Sequence, residues 1–225
     1  MDLAAPVAEA PASLRPATSG LVLRGLACER AGRRLFEGLG GQVGDGQLLR
    51  LSGPNGAGKT SLLRMICGLL PPAAGDILWR GRPLHALGDE RGRVLAYIGH
   101  AAALKDDLSA VENLQFSLLL AGRRIDRRQA LAALQEAGLG KRAHAPARML
   151  SQGQRRRAVL ARLLLVPDAP LWVLDEPFNA LDVEATGWLC GLIERQLARA
   201  GVVVLTSHQP VPLPEALSQV LLELR

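Results

Sequence analysis

Apolar and polar positions alternate in three ways along this chain. Residues 20–100 carry short apolar runs broken by turn signals, which predicts strands and one helix. Leu48-Leu49-Arg50-Leu51-Ser52 reads as a strand, and Gly75-Asp76-Ile77-Leu78-Trp79-Arg80-Gly81 as a strand and turn. A helix is expected to open at Thr60 and run through Ile66. Residues 101–166 change to helical spacing. Ser109-Ala110-Val111-Glu112 is a capping-box pattern ahead of Leu114, Phe116 and Leu118. Asp126-Arg127-Arg128-Gln129 repeats it ahead of Leu131, Leu134 and Leu139, with Gly138 near the end. Beyond 170 the runs become short and continuous, Leu171–Leu174 and Val202–Thr206, as in buried parallel strands. No internal repeat is visible. The pattern predicts one α/β domain over residues 20–225, with a helical subdomain over 101–158. Residues 1–19 are rich in Ala and Pro and are expected to be disordered.

The segment between the predicted strand and helix carries chemistry. Gly53-Pro54-Asn55-Gly56-Ala57-Gly58-Lys59-Thr60 is a complete GxxxxGK[ST] phosphate-binding loop, followed by Ser61. Its three glycines let successive N–H groups turn inward toward phosphate oxygens. Lys59 suits the β- and γ-phosphates, the Thr60 hydroxyl suits Mg²⁺, and the helix N-terminus favours an anion. The strand–loop–helix setting makes a chance glycine-rich turn a poor alternative. A second polar group ends the Leu171–Leu174 run: Asp175 is placed to hold Mg²⁺, directly or through water, and Glu176 to orient or deprotonate an attacking water.

Composition adds limits. The net charge is +6, and lysine occurs only at 59, 105 and 141, so arginine supplies nearly all the basic charge. Arg123, Arg124, Arg127 and Arg128 could form a basic stripe on a helix or simply a solvated face. Aromatics make up 3% of residues, which argues against a stacking surface for nucleic acid, and no nucleic-acid partner is expected. No uncharged run approaches the ~20 residues of a membrane span, and the first residues lack the basic start of a secretory signal. Cys28, Cys67 and Cys190 show no metal-ligand spacing and read as reduced, partly buried thiols.

A third motif points to a family. Leu150-Ser151-Gln152-Gly153-Gln154 resembles the LSGGQ signature of ATP-binding-cassette ATPases; Ser151 and Gln154 also fit a helix capping box. Asn179-Ala180-Leu181-Asp182 resembles that family's D-loop, and His208, after the Val202–Ser207 run, its switch histidine. The resemblance covers residues 20–210. It implies a phosphate-loop ATPase core of mixed or parallel sheet with an inserted helical subdomain, using ATP and Mg²⁺. It implies catalytic roles for Glu176, His208 and Lys59, and metal ligation by Thr60 and Asp175. Ser151, Gly153 and Gln154 would face the nucleotide of a second copy, making a cassette homodimer.

Departures narrow the group. Gly99-His100 stands where a glutamine is usual, Gln152 replaces the first signature glycine, and Arg30 occupies the usual place of an adenine-stacking aromatic. A guanidinium can also stack on a base. These departures, with Cys28-Glu29-Arg30, Arg34-Leu35-Phe36, Tyr97–His100, Val111–Leu114 and Thr206–Pro210, are similar to the ATP-binding subunits of the cytochrome c maturation system, the haem exporter A subunits. That resemblance implies a peripheral protein on the cytoplasmic face of a bacterial inner membrane. Its partners would be the exporter's membrane-embedded B component and, through the complex, the C component and haem chaperone E. ATP would drive release of the haem-loaded chaperone. The alternative is the ATPase subunit of a transporter for another substrate, since the core motifs do not encode cargo. The interval between Lys59 and Ser151 has no sustained heptads, which argues against a chromosome-organising or DNA-repair cassette.

Overall fold

A computed structural model describes residues 20–207, 213–214 and 217–224. Two sheets share the work. β1 (Leu21–Arg30), β2 (Arg33–Val43), β4 (Ala74–Trp79) and β5 (Arg82–Pro83) form an antiparallel sheet in the order β2-β1-β4-β5. β3 (Leu48–Ser52), β6 (Leu95–Ile98), β7 (Leu171–Leu174), β8 (Val202–Thr206) and β9 (Gln219–Glu223) form a parallel sheet in the order β6-β7-β8-β3-β9. The expected core of mixed or parallel sheet is thus made of one antiparallel and one parallel sheet.

The apolar runs explain the parallel sheet. Leu171–Leu174 and Val202–Thr206 are buried throughout, because both faces of this sheet are covered. Alternate residues diverge: Leu48, Trp172, Leu174, Val203 and Leu205 join a core with the helices beyond residue 100. Leu49, Leu51, Val173, Val202 and Val204 join a core with α1 (Lys59–Ile66) and the antiparallel sheet. A four-residue helix, α2 (Arg91–Val94), leads into β6. It and the 3₁₀ turns over Leu84–Glu90 were not visible as helix in the sequence pattern.

The helices begin where the capping patterns place them. α3 (Ala110–Leu120) and α4 (Arg127–Glu136) open on complete capping boxes at Ser109/Glu112 and Asp126/Gln129. α5 (Gln152–Leu160) opens on a third, Ser151/Gln154, and Asp182 caps α6 (Val183–Ala198). The arginine stripe does not form. α3 ends at Leu120 and α4 starts at Arg127, so Arg123 and Arg124 lie on the connection, and Arg123 is paired with Asp168. The three cysteines are buried. Residues 1–19, expected as a tail, lie outside the described residues.

Candidate nucleotide site

The phosphate loop and the acidic pair converge on the carboxyl edge of the parallel sheet, where open α/β sheets present their ligand crevice. β3 delivers the phosphate loop, β7 delivers Asp175 and Glu176, β8 delivers Thr206, and β6 delivers Gly99 and His100. The loop is built by its glycines. Gly53, Gly56 and Gly58 have φ of 136°, 84° and 102°, a region that favours glycine. Two of them are also places of close approach. A Cβ on Gly53 would stand 2.3 Å from the Leu224 carbonyl oxygen, and one on Gly58 would stand 2.9 Å from the Phe36 ring. Phe36 thus seats the β1–β2 hairpin, which carries Arg30 at its exposed tip, against the loop.

Within the loop Lys59 is buried, and its Nζ donates to the carbonyls of Gly53 (2.7 Å) and Pro54 (3.0 Å). α3, α4, α5 and α6 each have a side-chain N-cap; α1 begins at left-handed Gly58 with no side-chain cap and no acid in its first turn. Its N-terminal field therefore points into the loop without a protein acceptor, as a phosphate cradle requires. Pro54, Asn55 and Gly56 are exposed on the loop's outer bend, and Ala57 and Ser61 are buried beneath it.

The acids are tied to this loop. The Thr60 hydroxyl donates to Asp175 Oδ2 at 3.1 Å, across 115 residues of chain. Asp175 is 2% exposed, so a buried carboxylate and a hydroxyl meet as two hard oxygen donors, the set Mg²⁺ takes when phosphate and water complete its shell. Among the described residues no group of three or more His, Cys, Asp or Glu could hold a metal alone.

Two residues that sequence reasoning passed over hold the acids in place. Thr206 is fully buried at the end of β8. Its hydroxyl donates to Asp175 Oδ1 (2.8 Å) and accepts from the Glu176 N–H (2.8 Å), using both of its functions. Its signal was a hydroxyl closing an otherwise apolar run. Arg156, in α5, is 4% exposed. Its guanidinium donates to the carbonyls of Asp175 (2.7 Å), Glu176 (2.9 Å), Pro177 (3.2 Å), Gly99 (2.8 Å) and His100 (3.3 Å). Burial pulls its pKa down, partly offset by the charges of Asp175 and Glu176. In the sequence Arg156 is one of three consecutive arginines and nothing sets it apart. Glu176 needs such support: it is a buried, non-glycine residue at φ 48°, a left-handed conformation that costs energy and persists only where the surroundings fix it.

The signature residues lie elsewhere. Ser151 Oγ accepts from Gln154 N at 3.3 Å, and Gln154 Oε1 accepts from Ser151 N at 3.0 Å, on an exposed helix start. Gln152, Arg155 and Arg156 line a hollow of about 350 Å³ with His100, Asn179 and Ala180. Gly153 lies within α5 at an ordinary helical φ, and its need is space: a Cβ there would stand 2.6 Å from the Ala180 carbonyl oxygen. Gln152, which replaces the other signature glycine, is exposed, so that departure meets no obstacle. His100 is exposed and also lines a larger groove of about 1010 Å³ with Thr60, Asp175, Phe116, Leu120 and Arg162. His208 lies outside the described residues.

A phosphate cradle, an uncapped helix start, a hydroxyl–carboxylate pair and a second buried acid define a phosphate-loop nucleotide hydrolase. The family model of the ABC transporter matches residues 36–179. The chain is 49% identical over 194 residues to the cytochrome c biogenesis ATP-binding export protein CcmA of Nitrosospira multiformis, covering 86% of this chain and 94% of that one. It is 50% identical over 189 residues to the protein of that name from Nitrosomonas europaea, covering 84% and 88%. Among solved structures it is similar to an ABC transporter ATP-binding protein of Pyrococcus furiosus, with TM-score 0.76 and 26% identity over 92% of this chain and 98% of that one. A dimeric ATP-binding cassette bound to ADP and Pi, 23% identical with TM-score 0.70 over 84% and 88%, shares the fold. The chain belongs to the ABC transporter ATPases and, within them, to the CcmA family of cytochrome c biogenesis ATP-binding export proteins.

Proposed function

We propose that this chain is the ATP-hydrolysing subunit of a membrane complex in cytochrome c biogenesis, and that it drives release of the haem-loaded chaperone E. The observation that carries the ATPase reading is the joining of Thr60, Asp175, Thr206 and Glu176 at one sheet edge. The near-50% identity to CcmA proteins carries the pathway. It also disfavours the alternative, a transporter of unrelated cargo.

The roles follow from position. Lys59 and the N–H groups of residues 53–61 hold the phosphates. Thr60 and Asp175 are the residues that would hold Mg²⁺, whose charge would help neutralise the transferred phosphoryl oxygens. Glu176 orients the attacking water and accepts its proton. His208 assists at the γ-phosphate. Arg30 and His100 reach the nucleotide from the hairpin tip and the end of β6. Exposed Ser151 and half-buried Gly153 and Gln154, at the start of α5, complete the site of a second copy, so that ATP acts as a ligand of the closed pair. Gly153 lets that helix start sit directly on the 178–182 turn.

Among the described residues no helix is long and apolar enough to cross a membrane. The chain is read as peripheral on the cytoplasmic face of the inner membrane, held by the membrane-embedded B component and engaged through it with the C component and chaperone E. Its contact face is the helical segment 101–150, beside the 1010 Å³ groove. There Phe116 and Leu120 are 36% and 73% exposed.

Cells carrying only Lys59→Ala protein test the assignment. They are expected to lack mature c-type cytochromes while haem stays covalently attached to chaperone E, visible by haem staining of membranes. Normal cytochromes would point to other cargo. Loss of chaperone-bound haem as well would move the step to haem supply.

A further inference from the structure

The hairpin that joins β1 to β2 ends in two arginines that face each other. Arg30 and Arg33 are register partners across the turn Ala31-Gly32, whose residues have left-handed φ of 49° and 73°. Register partners stand on one face of a sheet with Cβ atoms about 5 Å apart, and like charges so placed repel. The next pair is complementary: Glu29 and Arg34 are partners and form an ion pair at 3.0 Å, and Arg34 also binds Glu37. Both acids of the two strands are thus taken by Arg34. Among the described residues no hydrogen bond or ion pair reaches Arg30 or Arg33, and both are exposed. The arginine pair adds nothing to the hairpin's own stability.

Its position supplies a use. Leu35 and Phe36 lie against the phosphate loop, where a Cβ on Gly58 would stand 3.4 Å from Leu35 Cβ and 2.9 Å from the Phe36 ring. Arg33 is two residues away, about 7 Å of strand, so the arginines stand beside the loop that holds phosphate. A base presents one face to the hairpin, and one guanidinium covers it. The other is left to meet the base's edge. A guanidinium only donates, through N–H groups in a rigid fork. Guanine offers that fork two adjacent acceptors, O6 and N7, whereas adenine sets an amino donor beside N7.

We propose that Arg33 reads the edge of the base while Arg30 stacks on its face, that the Arg33 fork favours guanine, and that the chain takes GTP as a substrate beside ATP. The proposal rests on the reading of Arg30 as a residue that reaches the nucleotide. The chemistry at the γ-phosphate is the same for both: water attacks the phosphorus, the bond to the bridging oxygen breaks, and the nucleoside diphosphate and phosphate leave.

The test measures Kd for ADP and GDP on the full chain, and kcat/KM for ATP and GTP on its complex with the membrane partner, all with Mg²⁺. The parent is expected to bind GDP within about threefold of ADP, or more tightly. Arg33→Met is expected to weaken GDP about fivefold more than ADP, the lower end of what a bidentate arginine–guanine contact supplies, and to lower kcat/KM for GTP relative to ATP by the same factor. Arg33→Lys keeps the charge without the fork and is expected to lose the preference as well. Parental binding of GDP more than about tenfold weaker than ADP would overturn the proposal. So would equal losses for both nucleotides in Arg33→Met, the mark of charge acting on phosphate, or a preference retained in Arg33→Lys. Arg30→Ala separates the proposal from the reading beneath it. If it weakens both nucleotides while Arg33→Met leaves their ratio unchanged, the hairpin reaches the base and the guanine contact alone fails. If neither variant changes either Kd, the hairpin does not reach the base and both fail.

Discussion

Thr206→Val isolates the hydroxyl that joins the two acids. Valine nearly matches threonine in shape, so no cavity opens in β8. What is lost is the donor to Asp175 Oδ1 and the acceptor for Glu176 N–H, both at 2.8 Å and both around a side chain with 0% exposure. Each buried polar group stripped of its partner costs ~1–3 kcal/mol. Two such groups set a range of about 2–6 kcal/mol, and Asp175 keeps its second oxygen bonded to Thr60, which favours the lower half. At about 3 kcal/mol, and roughly 2–4 °C per kcal/mol for a domain of this size, melting falls by about 6–12 °C. Thr206→Ser keeps the hydroxyl and deletes one methyl group, worth ~0.8 kcal/mol and so about 2–3 °C. Scanning calorimetry of the two variants against the parent gives the comparison. A valine variant melting within about 2 °C of the serine variant would refute the argument that this hydroxyl is a structural link between Asp175 and Glu176.

Three further variants probe other parts of the site. Arg156→Lys keeps the charge but cannot serve five carbonyls from one planar fork, so kcat for ATP is expected to fall roughly tenfold or more while the ATP Kd stays within about threefold; equal losses in both would reduce Arg156 to general support. Gly153→Ala forces the Ala180 carbonyl away from α5, and is expected to leave ATP binding intact but to weaken ATP-dependent pairing of cassettes, as read by sedimentation. Arg30→Ala is expected to raise the ATP Kd several-fold, and Arg30→Tyr to restore it, because stacking of this kind contributes ~0.5–2 kcal/mol; an unchanged Kd would place adenine elsewhere.

Elements with local signals were legible in the sequence. The three capping boxes fix helix starts through bonds between residues three apart, and all three form where Ser109, Asp126 and Ser151 predict them. The buried strands were legible because a sheet covered on both faces needs no polar alternation. The phosphate loop was legible because its glycines, lysine and threonine act within one turn of chain. What escaped was set by tertiary contact. Thr206 and Asp175 are 31 residues apart, and Arg156 and Gly99 are 57 apart, distances over which no periodicity speaks. The reason for Gly153 escaped likewise, since the Ala180 carbonyl that excludes a side chain arrives from the turn after β7. The two-sheet division depended on which strands pair, and a list of apolar runs does not contain that.

The central claim is that Glu176 activates water in a site closed by a second copy of the chain. Glu176→Gln protein, assembled with its membrane partner, tests it when ATP binding, ATP turnover and cassette number are measured on one preparation. Binding is expected to be retained, turnover to fall ~10²–10⁴-fold, and a two-cassette species to persist in ATP and disperse in ADP. Near-parental turnover, or a cassette number indifferent to nucleotide, would contradict the account.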